Sequence, residues 1–327
     1  MVNVDHASST RPSLAGRGMS LAAKVVVRGP QLLAPLLPDR AGARLARAVL
    51  LVACAAGSAP TLPHKAIDVA GPRGRLRGEW VGAVPEPGRP VLYFLHGSGY
   101  VGCTPGTHRG LVSELSRRLD RAAFSLDYRR APEYRFPAAH DDTLNGYLWL
   151  RARGHAAEDI VVMGDSAGGH LALGLCVQLR ELGLEQPRAV VGFSALVDST
   201  WALAKEREPH VDDAFMRVRA ARKLTELYTG SDHFADPRLN VLSAVGPDLP
   251  PILLQAGAAE VLSADSEAYG AALLAAGGDC EVQTWPGMFH VFQLPYLLLP
   301  EAKDALDNVE RFVARVESES TRKPKSA

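Results

Sequence analysis

From residue 63 onward the chain alternates short apolar runs with longer amphipathic stretches, and this alternation restricts the possible folds more than any other feature. The apolar runs predict strands near residues 66–70, 75–82, 91–96, 122–128, 159–163, 189–196, 251–257 and 281–285. Helical stretches lie between and after the later strands, at 107–120, 138–153, 167–182, 264–276 and 300–316. Such alternation indicates an α/β fold, with a mostly parallel central sheet covered by helices on both faces.

The other segments are arranged around this sheet. Residues 1–18 are small and polar and predict a flexible N-terminal arm, whereas 19–62 carry apolar residues at helical spacing, interrupted by prolines, and predict N-terminal cap helices. Residues 63–318 form the predicted α/β domain, and a polar tail, 319–327, follows. The stretch of about 200–245 breaks the alternation, and an insertion there would lie above the carboxyl edge of the sheet, where open α/β folds bind ligands.

Composition argues against several function classes. The 36 basic residues equal the 36 acidic ones, so no overall charge would attract nucleic acid or an anionic membrane, and neither is an expected partner. The four cysteines lack the spacing of metal sites, and we predict no metal. No apolar run is long enough to span a bilayer, and no signal peptide is recognisable. We therefore expect a reduced, cytoplasmic protein; whether it forms a homodimer is left open.

One predicted strand runs directly into a turn that carries a serine. The segment Gly164–Gly168 reads GDSAG and connects the apolar run 159–163 to a helical stretch. In this setting G-x-S-x-G is typical of the sharp strand-to-helix turn that exposes a nucleophile, here Ser166. Glycine is needed because a Cβ at either flank would strike the neighbouring strand or helix. The alternative is an ordinary β-to-α connection with a serine N-cap.

A catalytic serine needs a base, and the base needs a carboxylate to hold its tautomer. On folds with such a turn the chain order is serine, acid, histidine. The histidines after Ser166 are His170, His210, His233 and His290. His290 lies in a loop just after the last predicted strand, at the edge from which a base would project, so we predict it as the base.

The acid is expected after the preceding strand, where the chain offers Glu260 and Asp265. Glu260 lies three residues beyond Gly257, in the expected loop, and we favour it. Asp265 begins the next helix, where N-capping accounts for it. Asp265 stays the alternative acid because a triad accepts either carboxylate.

Backbone N–H groups must also be in place to stabilise a developing oxyanion. One is expected from the residue after the nucleophile, Ala167, and the others from a glycine-rich loop after an earlier strand. Such a loop directly follows the most apolar strand; its residues are His96, Gly97, Ser98, Gly99 and Tyr100. Glycine lets this backbone turn its N–H groups inward and lets a substrate approach closely.

Five segments, in order along the chain, resemble the hormone-sensitive-lipase-like branch (family IV) of the α/β-hydrolases. They are HGSGY at 96–100, DYRRAPEYRFPAAHDD at 127–142, GDSAGG at 164–169, LPPILLQAGAAEVL at 249–262 and PGMFH at 286–290. The second segment is a family hallmark without an evident catalytic role, so chance is a poor explanation for the match.

The resemblance implies a carboxylic ester hydrolase that acts on short-to-medium acyl chains through an acyl-enzyme, with no cofactor. It implies Ser166 as nucleophile, His290 as base and Glu260 as acid. It also implies that the N–H groups of Ser98, Gly99 and Ala167 form the oxyanion hole, beside the motif residue Asp165. The helical cap would come from the N-terminal segment and the insertion, and its residues Phe215 and Met216 would line an apolar pocket.

Two residues depart from the family pattern: Ser98 replaces the middle glycine of His-Gly-Gly-Gly, and Glu260 replaces aspartate. The hydroxymethyl group of Ser98 would narrow the acyl pocket or restrict the loop, and the carboxylate of Glu260 must be set back by one methylene. The same residues would also serve an amidase or a lactonase. A non-catalytic small-molecule-binding protein on this fold is the alternative from another class, and the presence of His290 favours the enzyme.

Overall fold

The computed structural model describes residues 11–31, 37–55, 62–230 and 233–322 of the 327-residue chain. One eight-stranded sheet organises these residues, with the order β1-β2-β4-β3-β5-β6-β7-β8. The strands are β1 (His64–Gly71), β2 (Gly74–Val81), β3 (Val91–Leu95), β4 (Ala122–Leu126), β5 (Ile160–Asp165), β6 (Ala189–Phe193), β7 (Ile252–Gly257) and β8 (Cys280–Trp285). The pairs β1–β2 and β2–β4 are antiparallel, and the others are parallel.

Helices precede, connect and follow the strands. They are α1 (Leu14–Ala23), a π-helical turn (Lys24–Arg28), α2 (Gly29–Gln31), α3 (Asp39–Ala55), α4 (Pro105–Arg118), α5 (Ala138–Ala152), α6 (Ala167–Glu181), α7 (Ala202–Arg207), α8 (Val218–Thr229), α9 (Ser263–Ala275) and α10 (Pro300–Arg322). Short 3₁₀ turns lie at Ala157–Asp159, Glu208–His210 and Val241–Ala244. In the described part of the chain, no helix has both the length and the apolar character needed to cross a membrane.

The prediction of an α/β fold with a mostly parallel sheet is confirmed. Each predicted strand and each of the five predicted helices of the domain has a counterpart, with bounds that differ by a few residues. The largest strand difference is at β6, which ends at Phe193 rather than 196 because Ser194 takes a φ of 48° and turns the chain out of the sheet. Every residue of β3, β5, β6 and β7 is buried, as expected for strands covered on both faces.

The parallel register brings the loops of interest to one edge of the sheet. Leu95 lies opposite Gly164, so the loop after β3 and the turn after β5 leave the sheet side by side. Gly257 lies opposite Trp285, which places the loops after β7 and β8 next to each other in the same way. This is the carboxyl edge, where α/β sheets bind their ligands.

The two ends of the chain are more helical than the sequence predicted. Part of the predicted N-terminal arm belongs to α1, which begins at Leu14 because Ser13 caps it: Ser13 Oγ accepts from Gly16 N at 3.1 Å. Ser13 N also donates to Glu301 Oε1 at 2.6 Å, which ties this end to α10. Helix α10 continues into the predicted tail, as far as Arg322. Residues 1–10 of the arm, 32–36 and 56–61 of the predicted cap helices, and 323–327 of the tail lie outside the described residues.

Candidate active site

Ser166 stands at the turn between β5 and α6 in a backbone conformation that side chains rarely adopt. Its φ is 52° and its ψ is −120°, and strain of this kind in non-glycine residues concentrates at functional sites. The neighbouring glycines are required by space: a Cβ on Gly164 would lie 2.4 Å from the carbonyl oxygen of Gly168, and one on Gly168 would lie 2.0 Å from that of Leu95. The turn is therefore as tight as the sequence pattern predicted.

The structure brings Glu260 and His290 together from the loops after β7 and β8. Glu260 Oε2 lies 2.6 Å from His290 Nδ1, and the Glu260 side chain is fully buried. Its other oxygen, Oε1, accepts from Ser194 Oγ and from Gly257 N, each at 2.7 Å. These bonds hold the longer glutamate side chain so that its carboxylate reaches the ring, and they leave Nε2 of His290 for a second partner.

Burial and charge act in opposite directions on His290. Burial disfavours its protonated form and is the largest single effect, but the neighbouring carboxylates, Glu260 first among them, together raise the pKa of His290 above its ordinary value. Asp213 and Asp165 act in the same direction. Only 12% of the His290 side chain is exposed, and it lies in the wall of the cavity that also contains Ser166. A base whose positive form is stabilised in this way suits the transfer of a proton from a serine.

Asp265, the alternative acid, is held in a different place. Its Oδ1 accepts from the backbone N–H groups of Val197 and Asp198, each at 2.8 Å. Its side chain is fully buried, and burial raises the pKa of this carboxyl to about 7. Asp265 is therefore engaged with the chain that follows β6, while Glu260 contacts the imidazole.

The glycine-rich loop after β3 is tied to the serine turn by Asp165. Gly97 N donates to Asp165 Oδ1 at 2.8 Å, and a Cβ on Gly97 would lie 2.2 Å from Oδ2 of the same carboxylate. Ser98 and Gly99 have φ values of 128° and 59°, both in the region that favours glycine. Ser98 tolerates this because its Oγ donates to Gly102 O at 2.5 Å. The hydroxyl group that distinguishes Ser98 from the family glycine is therefore hydrogen-bonded within the loop.

The three predicted oxyanion donors line one cavity. Ser98, Gly99 and Ala167 all belong to its wall, together with Ser166 and His290. Ala167 is the first residue of α6, so its N–H has no acceptor within the helix and is available to an anion. This arrangement could stabilise negative charge that develops next to the serine.

His96 and Tyr100 support the loop from behind rather than line the cavity. Both are fully buried, and burial lowers the pKa of His96 to about 3, so its ring is neutral. The His96 ring stacks on Tyr128 with centroids 4.3 Å apart. The Tyr100 hydroxyl hydrogen-bonds to His170 Nδ1 at 2.7 Å, so His170 is a packing residue of α6.

The cavity has a volume of about 410 Å³ and an apolar wall. Its lining comes from the N-terminal helices, the insertion and the sheet edge; representative residues are Val26, Val49, Leu50, Phe215, Met216, Leu224 and Phe289. Phe215 stacks on Phe289 at 5.2 Å between centroids, so the insertion packs against the loop that carries His290. The cavity fits a small, largely apolar molecule.

Sequence reasoning missed two polar residues that hold the loops in place. Ser194 Oγ donates to Glu260 Oε1 and accepts from Val291 N at 2.9 Å, so it joins the acid to the chain beside the base. Asp213, in the insertion, accepts from Val261 N with Oδ2 and from Phe215 N with Oδ1. A serine at a strand end and an Asp before a turn are too common in sequences to signal such roles.

Comparison with known proteins places these observations in a family. The family described as the alpha/beta hydrolase fold matches residues 92–294 of the chain. Carboxylesterase/phospholipase LipF of Mycobacterium tuberculosis is 36% identical over 267 residues, which cover 76% of this chain and 68% of the relative. The family match includes the serine turn and the loop that carries His290.

Solved structures agree with the sequence relatives. The crystal structure of EstE5 soaked by ethyl alcohol superposes with a TM-score of 0.82 at 28% identity, covering 94% of this chain and 99% of the other. The structure of an esterase from the bacterial hormone-sensitive lipase family superposes with a TM-score of 0.75 at 30% identity, covering 90% and 98%. The likeness therefore includes the helices that surround the cavity as well as the sheet.

Proposed function

Since this chain belongs to the α/β hydrolase fold family, and to its hormone-sensitive-lipase-like branch, we propose that it is a serine carboxylesterase with a Ser166–His290–Glu260 triad. The chain is a hydrolase of ester bonds, in line with its esterase relatives, and the prediction of an enzyme rather than a binding protein is confirmed at that level. The observation that carries the triad is the 2.6 Å contact between buried Glu260 and His290, in the wall of the cavity that contains Ser166.

The proposed reaction follows from these positions. Nε2 of His290 takes the proton of Ser166 while the serine oxygen attacks the ester carbonyl, and Glu260 stabilises the imidazolium that forms. The N–H groups of Ser98, Gly99 and Ala167 stabilise the oxyanion. His290 then protonates the departing alcohol, and a water molecule activated by the same ring releases the acid from Ser166.

The apolar cavity supports a substrate class of small-molecule esters with short-to-medium acyl chains. Phe215 and Met216 belong to the same cavity wall as Ser166. The cavity volume of about 410 Å³ suits a small organic molecule rather than a polymer. The roles of the N-terminal helices and the insertion as a cap are part of the same proposal. A cytoplasmic location stays a prediction from the sequence.

Hydrolysis of p-nitrophenyl esters of graded chain length tests the proposal. We expect a preference for short-to-medium chains and a loss of at least about 10³-fold in kcat in Ser166→Ala, because that variant lacks the nucleophile. Ser113→Ala is the matched control, since Ser113 is a buried serine of α4 outside the cavity lining. Full turnover by Ser166→Ala would contradict the mechanism.

Mass spectrometry of the quenched reaction should show the acyl group on Ser166. Anilide and lactone substrates should turn over more slowly than esters.

A further inference from the structure

Two cysteines and a histidine that are scattered in the sequence meet in the wall of the cavity. Cys54 lies at the end of α3, Cys103 in the loop after β3, and His108 in the first turns of α4. The two Sγ atoms are 3.6 Å apart, and both cysteines are free thiols. One ligand atom from each of the three residues lies within 4.8 Å of the others.

The separation of the two sulfur atoms matches one edge of a tetrahedral thiolate–imidazole site. Zinc–sulfur bonds of about 2.3 Å and zinc–nitrogen bonds of about 2.0 Å require ligand atoms roughly 3.5–3.8 Å apart around the metal. The sulfur–sulfur distance already has that length. Small movements of the side chains would bring the third ligand atom to the same separation. Two thiols and an imidazole are ligands that a soft divalent cation prefers over the oxygen ligands of magnesium or calcium.

A carboxylate stands behind the histidine, as it does in metal sites. His108 Nε2 lies 3.3 Å from Asp165 Oδ2, and metal-bound histidines almost always donate their other ring N–H to a carboxylate or carbonyl. This contact leaves Nδ1 of His108 as the nitrogen available to a metal, which would replace its present hydrogen bond to Thr107 Oγ1 at 2.9 Å. Both His108 and Asp165 are buried, so the ring is held in one orientation.

We infer that Cys54, Cys103 and His108 form a binding site for a thiophilic divalent cation of the zinc class. All three residues line the cavity that contains Ser166, so a bound cation would lie beside the space into which an ester would enter. A bound cation would also fasten α3 to the loop that contains Ser98 and Gly99. Occupancy of the site therefore inhibits ester hydrolysis; this consequence rests on the proposed function, whereas binding does not.

Direct binding provides the first test and needs no esterase activity. The full chain is reduced, freed of reductant under anaerobic conditions, and titrated with Cd²⁺ while the thiolate-to-cadmium absorption in the ultraviolet is recorded; equilibrium dialysis measures Zn²⁺. We expect one ion per chain and at least about tenfold weaker binding in Cys54→Ser and in Cys103→Ser. The matched controls Cys176→Ser and Cys280→Ser remove buried free cysteines outside the cavity lining and should bind as the wild type does.

Inhibition provides the second test. Zn²⁺ should slow p-nitrophenyl ester hydrolysis by the wild type and by Cys176→Ser, and a chelator should restore the rate. Cys54→Ser, compared with its own metal-free rate, should need at least about tenfold more Zn²⁺ for the same inhibition. If metal binding is weakened in Cys54→Ser and Cys103→Ser but the wild type cleaves no ester, the proposed function fails and the metal site stands.

Two outcomes would overturn the inference. One is that the reduced wild type binds no Zn²⁺ or Cd²⁺. Another is that all four cysteine variants bind the metal and are inhibited equally, which would place the cation elsewhere, for example on His290. If the reduced chain binds neither metal but forms a Cys54–Cys103 disulfide with hydrogen peroxide, the pair is a redox couple rather than a ligand set.

Discussion

Two buried carboxylates lie five residues apart on either side of the start of α9, and they are used in different ways. Glu260 precedes the helix and gives one oxygen to His290 and the other to Ser194 and Gly257. Asp265 belongs to the first turn of α9, and its Oδ1 receives two backbone N–H groups. The side chains of both are fully buried.

The two carboxylates have different partners, and this difference fits them for different tasks. A carboxylate taken out of water stays charged only where a cation or several donors stabilise it. Glu260 has the imidazole and two donors. Asp265 has two neutral donors only, and burial raises its pKa to about 7. In the proposed triad the first carboxylate would stabilise an imidazolium, whereas the second fastens the chain after β6.

The largest expected effect comes from replacing each acid by its amide. Glu260→Gln should lower kcat by about 10²–10⁴-fold, because an amide neither holds the productive tautomer of His290 nor stabilises its positive charge. Asp265→Asn should keep kcat close to the wild-type value. The measurement is steady-state hydrolysis of a p-nitrophenyl ester at neutral pH. A collapse of kcat in Asp265→Asn, with Glu260→Gln active, would exchange the two roles.

The next effect concerns the contribution of Asp265 to the pH dependence of stability. Its pKa is about 7 in the folded chain against 3.8 for the free group. Between these values the folded state binds more protons than the unfolded state, so this group makes stability fall as pH rises. The fall amounts to at most about 1.4 kcal/mol per pH unit. Asp265→Asn should remove it.

Urea unfolding between pH 4 and pH 7.5 measures this dependence. The free energy of unfolding of the wild type, relative to Asp265→Asn, should decrease steadily across the range. Parallel curves for the two proteins would show that Asp265 does not titrate as its burial requires. Ser166→Ala serves as the control, because its change lies at the cavity surface and should leave the slope as it is in the wild type.

Much of this comparison could be predicted from the sequence, because the loops concerned are determined by short local sequence patterns. The strand-turn-helix pattern around Ser166, the loop after β3 and the loop with His290 are each encoded by a few adjacent residues. Their meeting at one sheet edge then follows from parallel pairing. The sequence also favoured Glu260 over Asp265, but only because Glu260 lies three residues beyond Gly257 in the expected loop. The contact of Glu260 with His290 is visible only in the structure.

Other features depend on parts of the chain that are distant in sequence. Ser194 bridges the acid and the chain after the base only because β6 ends where Ser194 turns out of the sheet. Cys54 and Cys103 are 49 positions apart and meet only when α3 packs beside the loop after β3. Sequence motifs for metal sites are defined by ligands close together in the chain, so they do not detect a cluster that includes Cys54.

A smaller effect should follow from removing the support of the acid rather than the acid itself. Ser194→Ala takes one hydrogen bond from the Glu260 carboxylate, worth about 1.5–3 kcal/mol, and we expect a loss of kcat on the order of tenfold. Ser263→Ala is the matched control: its hydroxyl donates to the backbone carbonyl of Glu260 at 2.9 Å, not to the carboxylate. Equal losses in the two variants would mean that general loosening of the loop, and not the carboxylate bond, limits catalysis.

The smallest effect is a displacement of the pH profile. Only neutral His290 can accept the serine proton, and its pKa is raised because Glu260, with Asp213 and Asp165, outweighs the effect of burial. The value of kcat/KM should therefore rise with pH through a pKa above the ordinary 6.5. In Glu260→Gln the residual activity should rise at lower pH, since the charge that favoured the imidazolium is gone. In Asp265→Asn the rise of kcat/KM should occur at the same pH as in the wild type. The midpoint of this rise could instead shift in Asp265→Asn, or in neither variant. Either result would mean that Glu260 does not set the pKa of the titrating base, and the electrostatic difference between the two carboxylates would be lost.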